Sequence, residues 1–200
     1  MNGARLVATA TLGLLAIFVI AVSTCGTDEE GLRALTRITA RVSFLLFLAP
    51  YSASSVRRLF PSPATRWMLR NRRALGLSFF VAHMLHGLAI WMLALLLGDA
   101  FEAHPITVVA GGMAYLLLVA MALTSTDRTA AWLGARRWNA LHRIGIHWLW
   151  FIFAYDWVVL SLSSPGYLLL AALSFGALGL RIAARRVRTR SGAAVAPTAA

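Results

Sequence analysis

Five histidines occur in the 200-residue chain, and four of them lie inside apolar runs: His83 and His86 in "RRALGLSFFVAHMLHGLAIW", His142 and His147 in "WNALHRIGIHWLW". The fifth, His104, sits in the polar stretch "EAHP" and reads as a solvated loop residue. An imidazole within a membrane helix is costly unless it faces an interior partner. Three uses suit it. A neutral imidazole ligates haem iron, hydrogen-bonds a neighbouring helix, or belongs to a proton or metal pathway. Zinc is the less attractive metal, because no thiol or carboxylate lies near these four histidines to complete a ligand set.

Spacing narrows the geometry. His83 and His86 are three residues apart and share one helix face. His142 and His147 are five apart, roughly 140° around a helix, so they cannot both address one target. Taking Arg73 and Arg137 as marks of one membrane surface, a rise of about 1.5 Å per residue puts His83 and His147 both about 15 Å deep. His86 then lies about 20 Å deep and His142 about 8 Å. This register predicts imidazoles from two helices facing each other, as bis-histidine ligation of an iron porphyrin requires.

The elements that must hold these side chains are membrane helices. The chain is 60% hydrophobic and only 13% charged, with a mean hydropathy of +0.73, too few charges for the shell of a soluble domain. Six apolar segments, roughly 6–23, 35–54, 75–97, 106–124, 138–160 and 167–183, approach the length that spans a bilayer. Backbone groups in hydrocarbon must bond within their own segment, so each is read as a helix of an all-α, six-span bundle. The organisation predicted is a first helix and outer loop over 1–33, a helical domain over 34–184 and a disordered basic tail over 185–200. The opening "MNGARLVATATLGLLAIFVIAVSTC" reads as a retained helix, with a cleaved signal peptide as the competing reading.

All 19 basic residues are arginine, and the net charge is +12. The arginines crowd the loops between segments two and three and between four and five, and the stretch after segment six. The loop after segment one carries Asp28, Glu29 and Glu30, and that after segment three carries Asp99 and Glu102. This asymmetry follows the positive-inside rule and predicts both termini in the cytoplasm. It is read as topology, not as nucleic-acid binding. The link "RRLFPSPATRWMLRNRR" reads as a turn or short interfacial helix against the lipid headgroups. Trp91 and Trp157 read as members of an interfacial belt. One cysteine, Cys25, excludes an intramolecular disulfide and a cysteine-ligated iron–sulfur cluster within the chain.

Three short motifs recur in order: "RRALGLSFFVAHMLH", "LVAMALTS" and "WNALHR". Together they resemble the ferric reductase-like transmembrane family over roughly 39–183, and most of all its bacterial haem-binding subunits of periplasmic methionine sulfoxide reductase systems. The resemblance implies a bundle in the bacterial inner membrane that holds b-type haem, one or two, and passes electrons across the bilayer. His86 and His142 match the family's ligand positions. The family's further histidine, 13 residues along the fifth helix, is replaced here by Tyr155. His83 and His147 are additional, and one haem ligated by His86 or His83 together with His147 is the pairing the depth estimate favours. His142 then serves a second haem or a propionate.

Arg72, Arg73 and Arg143 sit where haem propionates would need cations, although anchoring to the inner surface explains them as well. Asp156 lies beside Tyr155 in the outer half of the fifth segment, where it marks either a proton or quinone site or the approach to the surface. No nucleotide-binding fingerprint is present. Electrons must therefore come from a quinol, from FMN or another flavin, or from a separate cytoplasmic flavin reductase, and the resemblance implies that they leave to a periplasmic oxidoreductase subunit. The rival class is a non-redox transport or assembly subunit that uses its histidines for helix packing or proton transfer.

Overall fold

The computed structural model describes residues 3–102 and 105–193. Among them are eight α-helices: α1 Gly3–Cys25, α2 Glu29–Leu59, α3 Pro63–Arg70, α4 Arg72–Leu97, α5 Pro105–Leu123, α6 Asp127–Leu133, α7 Ala135–Ser163 and α8 Leu168–Ala193. The six long ones match the six apolar segments. Expectations for His104 and for residues 194–200 fall outside the described residues. Residues 185–193, expected as disordered tail, continue α8 as helix.

Local chemistry sets the ends. Asp28 caps α2 by accepting from the Gly31 amide at 3.1 Å, and Glu29 and Glu30 complement the dipole of its first turn. Ser62 with Thr65, and Thr126 with Thr129, form reciprocal capping boxes that start α3 and α6. Gly134, at φ +78°, turns α6 into α7 in a conformation that a Cβ would disfavour.

Five of the long helices are long and apolar enough to cross a membrane. The exception is α2, which carries Arg33, Arg37 and Arg41 and yet runs through the middle of the bundle. Its Tyr51, Phe44, Phe47, Leu35 and Ser43 are essentially inaccessible. Phe44 and Phe47 each lie 5.3 Å from Phe153 of α7, and Phe47 lies 5.3 Å from Phe79 of α4. A second apolar cluster joins α1 to α2 and α4 through Ala21, Leu32, Leu35, Ala89 and Leu93. Trp157 belongs to the main core at 3% exposure, so it is not the belt residue expected, whereas Trp91 is 59% exposed. The difference is one of face: Trp157 stacks on Tyr167 and meets Phe44 edge-on, inside the bundle.

The bundle has two chemically distinct ends. Asp28, Glu29, Glu30, Asp99 and Glu102 mark the acidic end, at the α1–α2 and α4–α5 turns. The arginine-rich α2–α4 and α5–α7 links mark the basic end. Helix α8 runs parallel to α2, with Arg41 over Tyr167, Arg181 against Tyr51 and Arg58 against Ala184.

Candidate functional site

The histidines of α4 are tied to α2. His86 Nδ1 lies 3.1 Å from Thr39 Oγ1, and His83 Nδ1 lies 2.7 Å from Ser43 Oγ. The Thr39 hydroxyl has a single proton, and the carbonyls of Leu35 (2.8 Å) and Thr36 (3.1 Å) are the acceptors for it. With its proton on one of these carbonyls, that oxygen accepts from His86 Nδ1–H, the tautomer that leaves Nε2 its lone pair. His147 reaches the same tautomer by another route, since its Nδ1 donates to the Arg143 carbonyl at 2.7 Å. A ring held through Nδ1–H on a hydroxyl or carbonyl, with Nε2 unprotonated, is the arrangement of a metal-ligating histidine and its supporting partner.

His83 is fixed further by Tyr115 of α5, which stacks on it at 4.7 Å and donates its hydroxyl to the His83 carbonyl at 3.2 Å. The rings of His83 and His86 lie 5.5 Å apart, so α4 does bring its two imidazoles together.

The depth register expected from sequence does not hold. The α7 side chain against His83 is Phe153, at 5.5 Å, while His147 lies beside Tyr51 at 6.2 Å. Phe153 is six residues beyond His147, about 9 Å along the helix. The cause is the start of α7. Ala135, Arg136 and Arg137 are all exposed and extend past the bundle, so Arg137 is not level with Arg73. Arg73 instead bonds Asp127 of α6 at 2.7 Å. Tyr155 stacks along its own helix on Phe151. Asp156 is half-buried, with no hydrogen bond or ion pair among the described residues.

His142 occupies a different place. It stacks on Trp138 at 4.1 Å, and its Nε2 is buried without a hydrogen-bond partner. It lines a cavity of about 480 Å³ between α4, α7 and the ends of their neighbours. That size falls in the range of about 300–1,000 Å³ usual for cofactor pockets. Five arginines line the same cavity. Arg70, Arg73 and Arg143 stand at an exposed rim, and Arg72 and Arg181 lie further in. Arg72 Nε donates to the Pro50 carbonyl at 3.0 Å, and Arg181 donates to the Tyr51 carbonyl at 2.7 Å while its own Nε stays buried and unpartnered. Of the five, only Arg73 meets a carboxylate among the described residues. The inner wall is apolar and aromatic, with Phe47, Phe79, Phe80 and Leu149.

Thr39, Ser43, Tyr115 and Arg181 did not emerge from sequence. A signal existed for the first two, since Thr36, Thr39 and Ser43 put hydroxyls on one side of α2 while Arg33, Arg37 and Arg41 mark another. Arg181 and Tyr115 have meaning only once α8 and α5 are packed.

The donor set fits an iron porphyrin. His142, whose Nε2 is buried without a hydrogen-bond partner, lines an aromatic-walled cavity, and Arg70 and Arg143 at its mouth meet no carboxylate among the described residues, where anionic propionates would sit.

No protein-family model and no solved structure matches the chain. Among curated proteins it is similar to several named protein-methionine-sulfoxide reductase heme-binding subunit MsrQ. The one from Ralstonia nicotianae is 35% identical over 128 residues, 59% of this chain and 56% of that protein. The one from Azospira oryzae is 36% identical over 100 residues, 43% of this chain and 42% of that protein. The Salmonella paratyphi B protein is 29% identical over 175 residues, 80% of this chain and 81% of its own length. The chain thus spans about half the length of the first two relatives and four fifths of the third. By its helices the chain is an all-α membrane bundle, and in sequence it is similar to proteins named MsrQ.

Proposed function

We propose that this protein holds b-type haem within its bundle and passes electrons through the membrane as a subunit of an oxidoreductase system. The observation that carries the reading is the buried, partnerless Nε2 of His142 in an arginine-rimmed cavity. The similarity to heme-binding subunits supports it. Haem, when bound, supplies a one-electron ferric–ferrous couple. The chain's residues do the rest. His142 would offer a ligand from α7 at the arginine-rimmed cavity, while His83 and His86 of α4, oriented through Nδ1 by Ser43 and Thr39, lie about 16 Å further along the bundle, level with Phe153, and would offer ligands there. Arg72, Arg73, Arg143 and Arg181 hold the propionates. Phe79, Phe80 and Leu149 exclude water from the inner wall. His147, aligned on Tyr51, serves a second haem or tunes the first from outside its ligand set.

The arginine-rich end faces the cytoplasm in this reading, because positive loops resist translocation. The chain is then a multi-pass protein of the bacterial inner membrane. A quinol, FMN or a flavin reductase delivers electrons at the basic end, and a periplasmic oxidoreductase subunit accepts them at the acidic end.

One observation favours a second reading. The Thr39–His86 and Ser43–His83 contacts are also what plain helix-to-helix ties look like, and they suit a non-redox transport or assembly subunit. A reduced-minus-oxidised spectrum with haem quantification decides. The haem reading expects near-stoichiometric iron porphyrin in the purified protein, with loss of absorbance in His142→Ala and in His86→Ala. A folded, colourless protein from haem-replete cells overturns it and leaves the helix ties.

A further inference from the structure

Only one of the four helical histidines reaches the arginine-rimmed cavity. His142 lines it, whereas His83, His86 and His147 do not. His83 is closed in by Tyr115 at 4.7 Å and by Phe79 and Phe153, each at 5.5 Å, and its Nδ1 meets Ser43. His86 turns to Thr39 of α2. Phe153, level with His83, stands about 16 Å beyond His142 along α7. One iron atom, bonded directly to both nitrogens, cannot bridge that span. His147 looks elsewhere again: it lies against Tyr51 at 6.2 Å, about 140° around α7 from His142. Beyond Arg72 and Arg73, the α4 wall of the cavity is Gly76, Leu77, Phe79 and Phe80, none of which carries a ligating atom. The one soft donor in the lining is Met121 of α5. Its sulfur packs on α7 at Gly145, where a Cβ would come within 2.7 Å of it. Gly145 is one turn from His142, so Met121 Sδ shares the His142 wall and does not oppose it.

We propose that a haem seated in this cavity is held by His142 alone, and that its other axial position, on the α4 side, binds a neutral diatomic ligand of the carbon monoxide and nitric oxide class. The inference rests on the haem reading and adds a ligand-binding activity to electron transfer. An iron with two imidazoles has no open position, whereas one with a single imidazole does, and the access and polarity of the open side then decide what binds. Gly76 supplies the access, since a Cβ built there would meet no atom within 4 Å. Leu77 and Phe80 make that wall apolar, which suits an uncharged ligand that needs no hydrogen bond. The diatomic adds to ferrous iron by accepting its electron density and leaves unchanged, so no bond breaks and no co-reactant is consumed. His142 is built to stand alone. Its ring stacks on Trp138 at 4.1 Å, and Trp138 is itself tied by Nε1 to the Thr124 carbonyl at 2.9 Å.

The test uses the full chain in phospholipid discs, loaded with haem and reduced with dithionite, with carbon monoxide as the probe. The expected result is a saturable shift of the Soret band, stoichiometric with the haem that depends on His142. The shift is lost in His142→Ala and survives in Met121→Leu and in a variant combining His83→Ala with His86→Ala. Its apparent affinity falls at least about tenfold in Gly76→Leu, which fills the space on the α4 side. Circular dichroism and retained haem absorbance verify that Gly76→Leu folds and loads, and Gly76→Ala gives a smaller fall if leucine displaces the haem. A haem-loaded protein whose ferrous spectrum ignores carbon monoxide has both axial positions filled; it overturns this inference and leaves the haem reading intact. A response that first appears in Met121→Leu makes the sulfur the sixth ligand and overturns it too. So does a response that persists in His142→Ala or vanishes in the double variant, which puts the open iron elsewhere. A colourless protein from haem-replete cells sinks the functional reading and this inference with it.

Discussion

The Thr39 hydroxyl, when it donates to a backbone carbonyl, offers His86 its lone pairs and so favours the tautomer with Nε2 free. Replacing the hydroxyl by a methyl of the same shape tests that role. Thr39→Val is expected to leave the helical content unchanged and to weaken haem retention about 10–100-fold, the usual cost of losing a partner behind a metal ligand. Haem titration of the purified variant checks it. If the hydroxyl merely ties two helices, the change appears as a small loss of stability with retention unaffected. At this scale the histidines themselves were legible from sequence, because an imidazole in an apolar run has few uses. Their partners were not. Whether Ser43 or Thr36 faces α4 depends on the rotation of α2, and Arg33, Arg37 and Arg41 mark its exposed side without giving its angle toward α4.

Helix α2 begins six residues before its expected segment and α8 runs ten residues past its own, yet the six long helices themselves were legible, since apolar length and glycine breaks are local signals. Relative depth was not. Arg137 is read as a membrane mark only because it precedes an apolar run, yet α7 starts before it enters the bundle, and Phe153 instead of His147 reaches His83. Interhelical fit has its own test at Gly87. A Cβ there would lie 3.0 Å from Cε1 and Oη of Tyr115, a rigid ring held between α4 and α5. Gly87→Ala is expected to lower stability by about 1–3 kcal/mol through overpacking and to shift the absorption of any haem that His83 ligates. Tyr115→Phe keeps the stacking and loses one hydrogen bond, about 1 kcal/mol. Thermal unfolding in detergent, followed by circular dichroism, ranks the two.

For the whole molecule, the segregation of charge predicts orientation. A reporter fused after residue 200 should be active only in the cytoplasm, and a membrane-impermeant maleimide should reach Cys25 from outside intact cells. A C-terminal alkaline phosphatase fusion with high activity would reverse the membrane orientation and both electron-entry and electron-exit assignments. The central placement of α2 has one more consequence, for biogenesis. Each arginine near the middle of a lone spanning helix opposes insertion by about 2.5–3.5 kcal/mol, and α2 carries three in its first half. It cannot partition into lipid by itself. It has to be delivered alongside α1 and then enclosed by α4, so the segment that anchors the histidines is the one whose entry into the bilayer depends most on its companions.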